Sequence, residues 1–173
     1  MPTPFLVRCP PTRLEPEIPR RKAPAGSPFF RSLLSAVPRR ARPAVDYTRR
    51  VTDTRCPCGS GETYANCCGP LHAGAPAPTA ERLMRSRFSA FALGDAGYLL
   101  RSWHASTRPE AIDLDDGLHW YRLDVESTER GGPFDRDGIV AFTAYYKGAE
   151  RGSLHEVSRF VREGGDWFYV AAV

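Results

Sequence analysis

Cys56, Cys58, Cys67 and Cys68 are the residues whose type and spacing most directly suggest chemistry. They bracket the run Cys56-Pro57-Cys58-Gly59-Ser60-Gly61-Glu62-Thr63-Tyr64-Ala65-Asn66-Cys67-Cys68-Gly69, which has almost no aliphatic residue able to build a core. Something other than hydrophobic burial must hold it. Disulfides and a divalent metal are the two candidates. A bridge within either pair would be strained, because the partners are adjacent or one residue apart. Pairing across the two ends stays open, but it needs an oxidising compartment, and the N-terminal residues do not resemble an export signal. A tetrahedral zinc site needs two short cysteine pairs brought together by a tight loop, with sulfurs about 2.3 Å from the ion. Eight residues separate the pairs here, with Gly59 and Gly61 suited to the turn, although the spacing within each pair is narrower than usual.

A second group of candidates lies further along the chain: His104, Glu156 and Arg159. Strand alternation places Leu154, Glu156, Ser158 and Phe160 on one face, with His155, Val157, Arg159 and Val161 on the other. A carboxylate sharing a face with Phe160 is set for desolvation and proton transfer. The competing reading is structural: Glu156 pairs with Arg85 or Arg87, His104 is a hydrogen-bonded histidine beside Trp103, and Trp120, Trp167, Tyr145 and Tyr169 fill the core. No Ser-His-Asp constellation and no phosphate-cradling glycine loop is visible.

The elements that must position these residues follow from the pattern. Pro70 to Pro78 is a Pro/Ala/Gly linker. Thr79 can cap a helix in which Leu83, Met84, Arg87, Phe88, Phe91 and Ala92 recur at spacings of three and four, and Gly94 ends it. A short helix over about 96–102 follows. From residue 119 the pattern changes to strands, over 119–126, 139–147, 154–162 and 167–173, with short glycine-bearing links that predict antiparallel hairpins. Helices followed by a run of strands read as α+β, the helices on one face of a curved antiparallel sheet.

Charge divides the chain of 173 residues unevenly. Residues 1–50 hold eleven basic side chains against three acidic, a net +8, and ten prolines; the remainder holds 13 basic against 17 acidic, a net −4. Such a tail cannot bury enough apolar surface to offset its ordering entropy, so residues 1–53 are expected to be disordered, with one apolar patch at Phe29–Leu34. Its Arg-Arg pairs suit weak, salt-dependent contact with nucleic acid. No apolar run approaches the roughly 18 residues of a membrane span. Cysteine usage fits a reducing interior, and a cytoplasmic location is expected.

The cysteine run resembles the SEC-C motif, the small zinc knuckle named for the C-terminal end of the SecA translocase ATPase. The resemblance implies Cys56, Cys58, Cys67 and Cys68 as ligands of one structural zinc ion. SecA-type knuckles carry several lysines between the ligand pairs, whereas this loop has Glu62, Ala65 and Asn66, which argues against docking through a basic zinc surface. Beyond it, Leu83-Met84-Arg85-Ser86-Arg87-Phe88, Tyr98-Leu99, Trp103-His104, Glu156-Val157-Ser158-Arg159-Phe160 and Gly165-Asp166-Trp167-Phe168-Tyr169 are similar to the YchJ-like family. That likeness implies a knuckle over 54–72 and a nuclear-transport-factor-2-like cone of helices against a bent sheet over 79–173. Some relatives carry a second knuckle after the last strand; this chain stops at Val173, so one metal is expected.

These features lead to a non-enzymatic interaction module that contacts a protein partner; dimerisation of the cone through its sheet, as related domains often show, stays open. The alternative is a small-molecule-binding or proton-transfer enzyme that uses the cone pocket, with Glu156 and His104 as acid and base. Chelation is expected to unravel about residues 54–72 and to leave the cone intact.

Overall fold

The computed structural model describes residues 54–114 and 117–173. The expected disordered tail, its Phe29–Leu34 patch and its Arg-Arg pairs lie outside the described residues.

Among the described residues, three α-helices precede a four-stranded sheet. Helix α1 spans Gly69–His72, α2 Ala80–Leu93 and α3 Ala96–Arg101; the strands are β1 His119–Arg130, β2 Asp137–Lys147, β3 Arg151–Glu163 and β4 Asp166–Ala172. Helix α2 begins where expected, because the Thr79 hydroxyl accepts from the Arg82 amide at 3.1 Å. It stops at Gly94, whose φ of 75° is a left-handed conformation that glycine adopts without a Cβ penalty. Asp95 caps α3 by accepting from the Tyr98 amide at 2.9 Å.

The sheet is an antiparallel meander in the order β1-β2-β3-β4. Register shifts at Trp120/Arg122 and Val125/Ser127 on β1, and at Val170 on β4 opposite Arg159/Phe160, mark bulges that bend it around the helices. The same bulges break the strict alternation expected for β1, which runs on to Arg130. Beyond α3, Trp103 forms a parallel bridge with Tyr169, and the His104 amide donates to the Tyr169 carbonyl at 2.7 Å. That segment covers the edge of β4.

The α+β architecture is therefore the one anticipated. Helix α2 lies across the concave face, where Phe88, Phe142, Phe160, Leu99 and Val140 are completely buried. Trp120, Trp167 and Tyr169 fill core as expected. Tyr145 does not: it projects from the opposite face, half-buried, beside Tyr121 and under the Arg122 guanidinium. The residues directly before and after it in β2, Ala144 and Tyr146, take the inward positions instead.

The corner between β1 and β2 must approach the start of α2 closely, since the Ala80 amide donates to the Gly131 carbonyl at 2.9 Å. A Cβ on Gly138 would stand 2.5 Å from the Gly131 Cα and 2.8 Å from its nitrogen. We expect Gly138→Ala to lower the unfolding free energy by about 1–3 kcal/mol in a urea titration. An unchanged midpoint would mean that this corner yields freely.

Candidate metal centre and the polar core beneath it

Residues 54–63 fold back on themselves. The Cys56 amide donates to the Glu62 carbonyl and the Tyr64 amide to the Thr54 carbonyl, both at 2.8 Å. Gly59 and Gly61, with φ of 76° and 87°, make the tip possible. A 3-10 turn at Tyr64–Asn66 then delivers Cys67 and Cys68 to the foot of this loop. All four cysteines are buried as free thiols, so neither pairing across the loop nor a bridge within a pair is present among the described residues.

Their sulfurs all lie within 4.8 Å of one another, an arrangement that could hold a metal ion. Cys58 and Cys67 Sγ are 3.5 Å apart, and Cys67 and Cys68 Sγ are 3.9 Å apart. Four sulfurs placed about 2.3 Å from a central ion form a tetrahedron with edges of about 3.8 Å. The observed spacings match that edge and are far beyond the roughly 2.05 Å of a disulfide. Crowding also disfavours simultaneous ionisation. Contact with Cys56 pushes the Cys58 and Cys68 thiols up, while the same neighbours hold Cys56 well below an ordinary thiol. A cation in their midst would allow all four to ionise together.

Helix α2 supplies the surroundings of this cluster. The wholly buried Ser89 hydroxyl donates to Cys68 Sγ at 3.4 Å and lies 3.6 Å from Cys56 Sγ. Arg82 donates from Nη1 to Cys67 Sγ at 3.3 Å and from Nη2 to the Cys67 carbonyl at 3.2 Å. Arg85 reaches the Cys58 carbonyl at 3.3 Å. On the loop itself, Ser60 Oγ lies 3.1 Å from Cys67 Sγ. Four thiolates around a divalent ion carry a net charge of about −2, and two guanidiniums stand against it. Neither lies within the loop, so the charges of residues 59–66 alone do not reveal them. Their signal was the second helical stripe at 82, 85, 86 and 89, opposite the apolar one.

The link continues through His72 at the end of α1. Its Nδ1 lies 2.7 Å from the Tyr64 hydroxyl and its Nε2 2.9 Å from the Ser86 carbonyl. A carbonyl can only accept, so Nε2 carries the proton and Nδ1 accepts from Tyr64. Burial pushes the His72 pKa below 6.5, so its 4.0 Å approach to Asp95 is not an ion pair at neutral pH. Leu71 and Ala77 belong to the same buried cluster as Phe88 and Phe142. The four cysteines and Tyr64 form a cluster of their own, so the knuckle packs on the cone through Leu71 and through the contacts from α2, and loss of a metal is expected to reach α2 as well as residues 54–72.

The residues proposed for a cone pocket are not brought together. Glu156 is buried on the inner face, accepting from the Ser158 hydroxyl and from the Tyr169 hydroxyl at 3.1 Å. His104 sits near the surface, with Nδ1 at 2.6 Å from Ser106 Oγ and Nε2 at 3.3 Å from Glu163. Arg159 is exposed on the opposite face of the sheet, as its odd position in the alternation requires. The space beside Glu156 is a cavity of about 10 Å³, lined also by Arg87, Trp103 and Tyr169. That is the scale of a single water molecule.

Arg87, not Arg85, is the cation facing Glu156; Arg85 pairs with Glu81 at 2.7 Å. The Arg87 guanidinium lies 4.5 Å from the centre of the Tyr169 ring and 5.0 Å from that of Trp103, and it donates to the Leu99 carbonyl and to Ser102 Oγ. Burial pulls its pKa down to about 10, opposed at neutral pH by the Glu156 carboxylate, so it stays charged there.

Residues 79–172 match the family described as the YchJ middle NTF2-like domain, and residues 54–70 match the SEC-C motif. A UPF0225 protein of Streptomyces coelicolor is 55% identical over 115 residues, which cover 66% of this chain and 90% of that protein. Another from Corynebacterium glutamicum is 53% identical over 116 residues, covering 66% and 93%. The solution structure of a SEC-C motif containing protein from Rhodopseudomonas palustris aligns with a TM-score of 0.60 at 32% identity, over 69% of this chain and 98% of that one. The crystal structure of a sec-c motif containing protein from Psychrobacter arcticus aligns at 0.59 with 26% identity, over 70% and 82%. Among the described residues no helix is long and apolar enough to cross a membrane.

Two outcomes follow for the polar core. Glu156→Leu leaves Arg87 buried without its counter-charge and should cost about 3–5 kcal/mol in denaturant titrations, most of it recovered when Arg87→Met is added. A double variant no more stable than the single one would remove the charge-pairing account. His72 has a folded pKa below its unfolded value of 6.5, so its contribution is fully present above pH 6.5 and is lost as pH falls below that value. His72→Gln should therefore flatten the dependence of stability on pH below 6.5, and an unaltered slope would refute this.

Proposed function

Because the chain belongs to the YchJ-like UPF0225 family, in which a SEC-C motif stands before an NTF2-like domain, we propose that it is a non-enzymatic interaction module organised by one structural zinc ion. Cys56, Cys58, Cys67 and Cys68 hold the ion, which supplies folding free energy to a loop without a core of its own. The carrying observation is the set of four converging buried sulfurs, whose spacings suit a small tetrahedral ion. All-sulfur tetrahedral sites favour zinc or iron. Four protein ligands leave no open position for a substrate, which suits a structural role.

In this reading the knuckle occupies residues 54–72, the cone 79–173, and 1–53 form a tail. The partner is a protein that docks on the exposed polar rim of the knuckle, from Gly59 to Glu62 and at Ala65 and Asn66. Free thiolates persist in reducing compartments, which supports a cytoplasmic location.

Protein purified under reductant should contain one zinc per chain. Ser89→Ala and Arg82→Gln should each weaken zinc binding by about 10–100-fold in chelator competition, the range found when groups that orient metal ligands are removed. Absence of stoichiometric zinc would overturn the metal assignment. Recovery of the same partners by Cys67→Ser and wild-type protein in affinity capture would overturn docking through the knuckle.

A further inference from the structure

A groove of about 240 Å³ runs between the Gly74–Ala77 strap, α3 and the start of β4. Leu83 and Tyr98 also line it, Arg101 stands on one side, and Asp166 lies at the β3–β4 turn. One of its polar groups lacks a protein partner, and a second is a cation that no carboxylate pairs with among the described residues. The Trp167 indole is 2% exposed, and its Nε1 finds no hydrogen-bond acceptor. By contrast, the Trp103 indole donates to Thr107 Oγ1 at 3.2 Å. Buried donors are nearly always satisfied, so an orphaned one at the wall of a groove marks a place for an acceptor that arrives from outside. Arg101 is exposed; it donates to the His72 carbonyl at 3.1 Å and lies 5.6 Å from the centre of the Tyr98 ring, and among the described residues no carboxylate pairs with it.

We propose that this groove binds a small organic carboxylate, with the Arg101 guanidinium and the Trp167 indole N–H as donors and Leu83 and Tyr98 as the apolar bed. Guanidinium recognises carboxylate by charge-assisted, two-pronged hydrogen bonding. The space suits a molecule of a dozen or so heavy atoms more than a peptide. Asp166 contributes the opposing charge, so the carboxylate lies toward Arg101, and any donor on the ligand lies toward Asp166. Because Nε1 is buried, binding requires the strap that forms one wall, which has no regular secondary structure and turns at Gly74 with φ of 108°, to move aside.

The inference needs no partner protein, and zinc analysis of the same sample separates its failure from failure of the metal assignment. Metal-loaded full-length protein is titrated with phenylacetate, phenylalanine and phenethylamine while the Trp167 indole resonance is followed by NMR. Phenylacetate and phenylalanine should each shift that resonance saturably, and phenethylamine should not. Arg101→Met should weaken phenylacetate by about tenfold or more, as expected for loss of a hydrogen bond to a charged group, whereas Asp166→Asn should tighten it. An indole signal unmoved by both carboxylates, equal binding of the amine, or full affinity in Arg101→Met would each overturn the proposal.

Discussion

The constraint on which the rest depends is the docking of four sulfur atoms onto one face of a single helix. Helix α2 is read from two sides: Leu83, Met84, Arg87 and Phe88 face the sheet and its interior, while Arg82, Arg85, Ser86 and Ser89 face the cysteine loop or its supports. A loop with no apolar core therefore acquires one by sharing the helix. Donors from that helix also answer the charge that four thiolates would concentrate there. This combination explains why serine is tolerated, wholly buried, in the middle of a helix: each hydroxyl has a partner outside the helical ladder.

A second polar patch lies in the interior, around Arg87. Arg87, Glu156, Ser158 and Tyr169 surround a space the size of one water, and aromatic rings flank the guanidinium. Desolvation of such a charged cluster is expensive, and the hydrogen bonds to Leu99, Ser102 and Ser158 offset it. Proton transfer would need substrate access and a second group in reach, and His104 faces Ser106 and Glu163 instead. The groove under the Gly74–Ala77 strap is the larger space, and its polar groups are donors and an acceptor suited to holding a molecule.

Much of this was legible from residue order because it rests on local rules. Thr79 and Gly94 bounded α2 by capping chemistry, the glycine pair at 164–165 closed the β3–β4 hairpin, and alternation put Glu156 inside and Arg159 outside. The cysteine spacing marked the cluster. What was hidden depended on which separate elements meet. Arg82 and Ser89 look like ordinary helix-surface residues until the knuckle is laid over them, 15 and 21 positions removed from the cysteines they touch. Tyr145 was misassigned because aromatic content in a strand does not say which face is covered. His104 and Glu156 looked like a pair only because both are ionisable.

The most direct test of the shared-helix account is amide hydrogen exchange in the metal-loaded and chelated protein. If the metal clamps the loop to α2, chelation should lower protection along Arg82 to Ala90 together with residues 54–72. Loss confined to residues 54–72, with α2 as protected as before, would contradict it.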